Sequence, residues 1–187
     1  MQPGMVERLR LTEGRGEAMA EGLRQIAGLA DPLGEVLGRF TRPSGLEIEK
    51  RRVPLGVIGI IYESRPNVTA DAFGLCFKAG NACILKGGKD AIDSNTAIAE
   101  SIRASLAECG ACADAIQLIT DPDRETTERF MKLNGYVDVL IPRGGAGPIR
   151  AVVENRPIPG IAHGTGNCTL YVGEYASIPK TIPTIKN

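Results

Sequence analysis

The sequence predicts an open α/β fold, a parallel sheet covered by helices on both faces. Two observations carry this. From Leu55 onward, short and wholly apolar stretches alternate with longer amphipathic ones. Most of the amphipathic stretches end at a glycine, at Gly80, Gly110 and Gly135. Strands buried on both faces read as continuous apolar runs, and parallel neighbours need helical crossovers between them.

Residues 4–40 read as a helical lead-in, because Met5, Leu9, Met19, Leu23 and Ile26 recur near helical spacing. Pro43-Ser44-Gly45 makes a turn, and Leu46 to Glu49 alternates as a half-exposed strand does, so residues 41–54 are expected to form a hairpin or protruding ribbon. Leu55–Tyr62 is the first core strand, followed by a helix over 67–79 with Phe73, Cys76 and Phe77 on one face. Ala82–Lys86 is a strand, and 94–109 a helix with Ile98, Ile102 and Leu106 on its stripe. Ala115–Ile119 is a strand, and Asp121 or Asp123 opens the helix that runs to Asn134. Val137–Ile141 is a strand, and a helix is expected from Gly145 to about Asn155.

Bulk properties exclude several classes. The 187 residues hold 22 Lys+Arg against 22 Asp+Glu, so no net charge directs the chain to nucleic acid or an acidic membrane. No apolar run approaches a membrane span and the N-terminus lacks a signal-peptide pattern, so the expected setting is the cytoplasm. The five cysteines are too few and too irregular for a disulfide framework. Cys76, Cys83 and Cys168 sit in apolar stretches and read as small hydrophobes. Cys109-Gly110-Ala111-Cys112 has redox-motif spacing, but it closes a helix instead of opening one. With one histidine, His163, zinc is also disfavoured and no metal is expected.

In open α/β sheets, ligands bind beyond the carboxyl ends of the strands. Three such ends stand out. The first is the polar corner Glu63-Ser64-Arg65-Pro66-Asn67. Pro66 is expected to fix the backbone there so that Asn67 caps the following helix, while Arg65 offers a fork to an anion. The second is Lys86-Gly87-Gly88-Lys89, and the third Arg143-Gly144-Gly145. Glycines between strand and helix let backbone N–H groups approach a phosphate, and lysines nearby add charge. G-x-G-x-x-G and G-x-x-x-x-G-K-[ST] are both absent, so it is the combination that points to a nucleotide phosphate.

The stretches RVPLGVIGIIYESRPNVTADAF, GNACILKGGKDAIDSN, YVDVLIPRGG and GTGNC closely resemble the γ-glutamyl phosphate reductase (glutamate-5-semialdehyde dehydrogenase) family of the aldehyde dehydrogenase superfamily. The resemblance implies an aldehyde dehydrogenase-like, Rossmann-like dinucleotide-binding domain over residues 55–187 and an oligomerisation element in the ribbon. It implies NADPH-dependent reduction of γ-glutamyl phosphate in proline biosynthesis, by attack of a thiolate on the acyl phosphate and hydride reduction of the resulting thioester. On the same ground Lys86 is expected at the adenosine ribose, with Gly87 and Gly88 beside it. Lys89 is expected at the 2′-phosphate, and Arg143, Gly144 and Gly145 at the cofactor. Ser64, Arg65 and Asn67 are expected at the substrate. A homo-oligomer and glutamate 5-kinase are the expected partners.

Two departures accompany the resemblance. Ala162 stands where relatives commonly carry a glutamate, so no general base is assigned there. The family's nucleophilic cysteine, in R-P-x-V-C-N, is expected past Asn187, so no catalytic residue is assigned within the chain, which taken alone is expected to be inactive. The rival expectations are a non-catalytic nucleotide-binding or assembly module and another acylating aldehyde dehydrogenase.

Overall fold

The protein is described from a computed structural model over residues 6–7, 9–63, 65–144, 149, 157–162, 171–174 and 176–186. Helix α1, Glu13–Gly28, starts at Thr12, whose hydroxyl accepts from Arg15 N at 3.3 Å. Strands β1, Val36–Thr41, and β2, Glu47–Arg51, then form an antiparallel pair with Phe40 opposite Ile48 and Arg39 opposite Glu49. Part of this corrects the expected lead-in. Helix stops at Gly28, and Val36 to Phe40 are strand. Asp31-Pro32-Leu33-Gly34 intervenes, with Asp31 accepting from Leu33 N at 2.9 Å and Gly34 at positive φ, a turn that helical periodicity cannot cross.

The remaining strands build one parallel sheet. They are β3 (Val57–Tyr62), β4 (Ala82–Lys86), β5 (Ile116–Leu118) and β6 (Val139–Arg143), in the order β5-β4-β3-β6. Helix α2, Asn67–Lys78, crosses from β3 to β4. Helix α3, Ile92–Glu108, crosses from β4 to β5 after a short turn at Lys89–Ala91. Helix α4, Arg124–Phe130, follows β5, and α5, Ile178–Lys186, lies near the end of the described chain. The expected helix over 145–155 lies outside the described residues.

Alternation along β3 divides the core. Ile58, Ile60 and Tyr62 pack on one face with Phe73 and Cys76 of α2, Ala99 and Leu106 of α3, and Leu85 and Ile116. Val57 and Ile61 face the other side, against Phe130, Met131, Val137, Leu140 and Ile158. Each fully buried side chain of this size contributes about 1.5–3 kcal/mol relative to exposure, which fixes the strand register.

The amino edge of the sheet is clipped by side chains. Asn81 Oδ1 accepts from Leu55 N at 2.6 Å and Gly56 N at 2.9 Å, and Asp138 Oδ2 from Val57 N at 2.8 Å. The strand therefore starts two residues later than its apolar run. Gly56 has φ 113, and a Cβ there would lie 2.1 Å from Asp138 Oδ2, so only glycine fits.

Candidate functional site

The sheet order sets the carboxyl ends of β4, β3 and β6 side by side. At the middle end the chain leaves Tyr62 through Glu63, whose N–H donates to Arg143 O at 3.2 Å, and turns at Arg65. Arg65 N donates to Glu63 O at 2.7 Å, and Val68 N to Arg65 O at 3.0 Å. Pro66 takes the N-cap position in helical conformation with no side-chain cap bond, and Asn67 is already inside α2. This corrects the expected cap. Asn67 Nδ2 instead donates to Asp71 Oδ2, one turn on, at 3.1 Å. The corner exists because a proline that fixes φ starts the helix without a capping oxygen. Ser64 lies outside the described residues.

Arg65, Pro66 and Asn67 form one wall of a cavity of about 400 Å³ between the corner and α1. Leu11, Arg15, Ala18 and Met19 form the facing wall, and Asp71 completes it. Arg65 is exposed. Arg15 is engaged with the chain before α1, donating to Glu7 O at 2.5 Å, Arg10 O at 2.8 Å and Glu7 Oε1 at 3.1 Å.

At the end of β4, Lys86 is 4% exposed and its ammonium donates to Gly87 O at 3.2 Å. Burial pulls its pKa down, while the carboxylates of Asp121 and Asp123 beyond β5 push it up. Asp121 is itself held below the usual range, chiefly by the Thr126 hydroxyl and then by Asp123 N at 2.9 Å. The expected opening of α4 thus divides between two residues. Asp123 holds the N-cap position without a side-chain bond, and Asp121 does the bonding.

Gly87 rests on a buried polar floor that the sequence did not single out. Tyr62 Oη and Thr69 Oγ1 are 2.7 Å apart, and Thr69 Oγ1 donates to Asn95 Oδ1 at 3.1 Å. Burial pushes the Tyr62 phenol up to about 12, so it stays protonated and donates to Thr69. A Cβ on Gly87 would lie 2.3 Å from Asn95 Nδ2 and 3.2 Å from Tyr62 Oη. Glycine at this position is thus a steric requirement. The only trace in the sequence was polar residues, Thr69 and Asn95, inside otherwise apolar helix faces.

Gly88 precedes the turn on which Lys89 is exposed. At the end of β6, Arg143 is exposed, and the Glu63 side chain lies over Gly144, with Oε1 2.8 Å from where a Cβ would stand. Gly145, His163 and Cys168 lie outside the described residues. A buried, partly desolvated cation, an exposed one and a backbone bared of side chains form a donor set that suits phosphate. Among the described residues no group of acids, histidines and cysteines could hold a metal. Among the described cysteines, Cys76 and Cys83 are buried and hydrogen-bonded to each other, which holds the Cys76 thiol down and, together with burial, pushes the Cys83 thiol up; Cys109 and Cys112 lie exposed beyond α3.

The fold is an α/β domain of aldehyde dehydrogenase-like architecture. A propionaldehyde dehydrogenase from Rhodopseudomonas palustris superposes on 87% of the chain with a TM-score of 0.62 at 21% identity. No family model matches the chain. The γ-glutamyl phosphate reductase of Lachnospira eligens is 56% identical over all 187 residues, and the crystal structure of the Thermotoga maritima γ-glutamyl phosphate reductase superposes on 99% of the chain at TM-score 0.87 and 40% identity. Over the stretch it spans, the chain belongs to the γ-glutamyl phosphate reductase family. That stretch is 45% of the length of each of these two relatives.

Proposed function

We propose that the chain forms the cofactor-binding and substrate-entry part of a reductase acting on γ-glutamyl phosphate. The overall conversion takes γ-glutamyl phosphate, NADPH and a proton to glutamate-5-semialdehyde, NADP⁺ and phosphate. What carries the reading is the 56% identity across every residue of the chain, in an alignment that includes the corner and both glycine loops. When bound, the nicotinamide supplies the hydride. The residues of this chain bind and orient. Lys86 and Lys89 hold the ribose and its 2′-phosphate, with Gly87 and Gly88 keeping the backbone clear. Negative charge at Asp121 and Asp123 directs that phosphate away from β5 and toward Lys89. Gly144 and Gly145 open the cofactor-side loop and Arg143 adds charge. Arg65, with Ser64 and Asn67, holds the acyl phosphate or carboxylate end of the substrate. The protein works in the cytoplasm as a homo-oligomer, and glutamate 5-kinase, which makes the labile acyl phosphate, is its natural partner.

The test uses the full-length reductase, with glutamate, ATP and a glutamate 5-kinase generating the acyl phosphate in place. NADPH oxidation is expected to depend on all three. Arg65→Lys should cut kcat/KM for the acyl phosphate at least tenfold, because an ammonium cannot reproduce a two-bond fork, and leave NADPH binding unchanged. Lys89→Glu should weaken NADPH far more than NADH. Reduction of acyl-CoA substrates in place of the acyl phosphate would favour a different acylating aldehyde dehydrogenase. Equal loss of both cofactors on Lys89→Glu would remove that lysine from the site.

A further inference from the structure

The cavity beside the corner contains a negative charge that the assignments above leave without a task. Asp71 lies on α2 one turn past Asn67, half-buried in the cavity wall. Its Oδ2 accepts from Asn67 Nδ2 at 3.1 Å. Its Oδ1 points toward α1, 3.5 Å from where a Cβ on Gly22 would stand, so the small residue on α1 leaves that oxygen room. Among the described residues no Lys or Arg forms an ion pair with Asp71. One arginine of the cavity, Arg15, is turned to Glu7 and Arg10. Arg65 lines the same cavity, exposed at the strand end, while Leu11, Ala18, Met19 and Pro66 offer no charge. A half-buried carboxylate held by one amide and by no ion pair among the described residues keeps an oxygen able to accept from a cationic ligand group.

We propose that Asp71 is the specificity-determining residue that receives the α-ammonium group of the substrate. The cavity then selects a γ-activated amino acid over the same carbon chain without its nitrogen. This rests on the cavity being the substrate site of the proposed reductase. The substrate so read bears two anionic groups and one cationic group. The wall answers with the exposed guanidinium of Arg65 at the strand end and a carboxylate one helical turn deeper. Asn67, between them, fixes the carboxylate so that Oδ1 is the oxygen left to accept.

The experiment runs the full-length enzyme in the oxidative direction, with NADP⁺ and phosphate, on glutamate-5-semialdehyde and on its deaminated analogue 5-oxopentanoate. The wild type should prefer the amino substrate. Asp71→Asn, which keeps the shape and an oxygen for Asn67, should lower kcat/KM for the amino substrate roughly 10- to 100-fold, the usual weight of a hydrogen bond to a charged group. It should leave kcat/KM for 5-oxopentanoate and the affinity for NADP⁺ unchanged. Asp71→Glu should recover part of the loss. An equal fall for both substrates, or no fall for either, overturns the inference. Arg65→Ala separates the two layers. If it spares both substrates, the cavity is not the substrate site and the inference goes with it; if it impairs both while Asp71→Asn does not discriminate, the site stands and the role of Asp71 is wrong.

Discussion

At Lys86 the chain places an ammonium group where burial works against it. Its pKa lies below the ordinary 10.5, first through desolvation, with Asp121 and Asp123 opposing. A lysine depressed in the folded state destabilises that state while it is charged there. The penalty is fully present below the folded pKa and disappears as pH rises toward the unfolded value. Lys86→Met should therefore raise the melting temperature at neutral pH, by a gain of about 0.5–2 kcal/mol typical of relieved mismatches at functional positions. The gain should shrink as pH approaches that of free lysine, and NADPH affinity should fall. Thermal unfolding at pH 7 and pH 10, with a cofactor titration, measures all three. A variant melting below wild type at pH 7 would mean that Lys86 is a structural cation, held by its carboxylate neighbours for stability.

Between elements, the decisive contact is the one at Gly87, where β3, α2 and α3 meet beneath a loop. Tyr62, Thr69 and Asn95 Oδ1 are joined by one hydrogen-bonded chain, and Asn95 Nδ2, buried beneath Gly87, has no hydrogen-bond partner among the described residues. Gly87→Ala places a methyl 2.3 Å from Asn95 Nδ2. The expected cost is about 1–3 kcal/mol, as for other overpacked cores, with a lower urea midpoint and an unchanged slope. An unchanged midpoint would mean that the loop moves freely over its floor. The glycine pair was visible in the sequence, but the steric demand at Gly87 was not, because the side chains beneath it, Tyr62 and Asn95, come from distant positions and are joined through Thr69. The same holds for the core elements. Ala82–Lys86 was legible to the residue, since its apolar run meets the polar loop abruptly. Strand β1 was hidden inside an apparent helical period, and Asn67 looked like a cap because nothing local reveals that Asp71 takes its amide.

On the scale of the whole molecule, the sheet gathers its charged loops at one edge, while the hairpin stands apart with its own exposed apolar surface. Phe40 is 49% exposed and Leu46 60% exposed, with Leu37, Val53 and Leu55 also open to solvent. Arg42 lies 5.8 Å from the Phe40 ring centroid and shields one face of it. Two arginines of the ribbon share one acid, Arg39 to Glu49 at 2.8 Å and Arg51 to Glu49 at 2.6 Å, while its apolar groups stay open to solvent. A two-stranded ribbon is marginal by itself, and apolar groups left open on it suit a second copy of the chain. In the full-length reductase, the double substitution Phe40→Glu and Leu46→Glu should therefore lower the mass measured by light scattering to that of a smaller assembly. The parallel sheet shares no residue with this contact, so NADPH affinity should hold within a factor of about two, since distant sites are usually independent. An unchanged mass would exclude the ribbon from the interface. A lower mass accompanied by loss of cofactor affinity would mean that assembly completes the cofactor site, and that the two ends of the molecule are coupled.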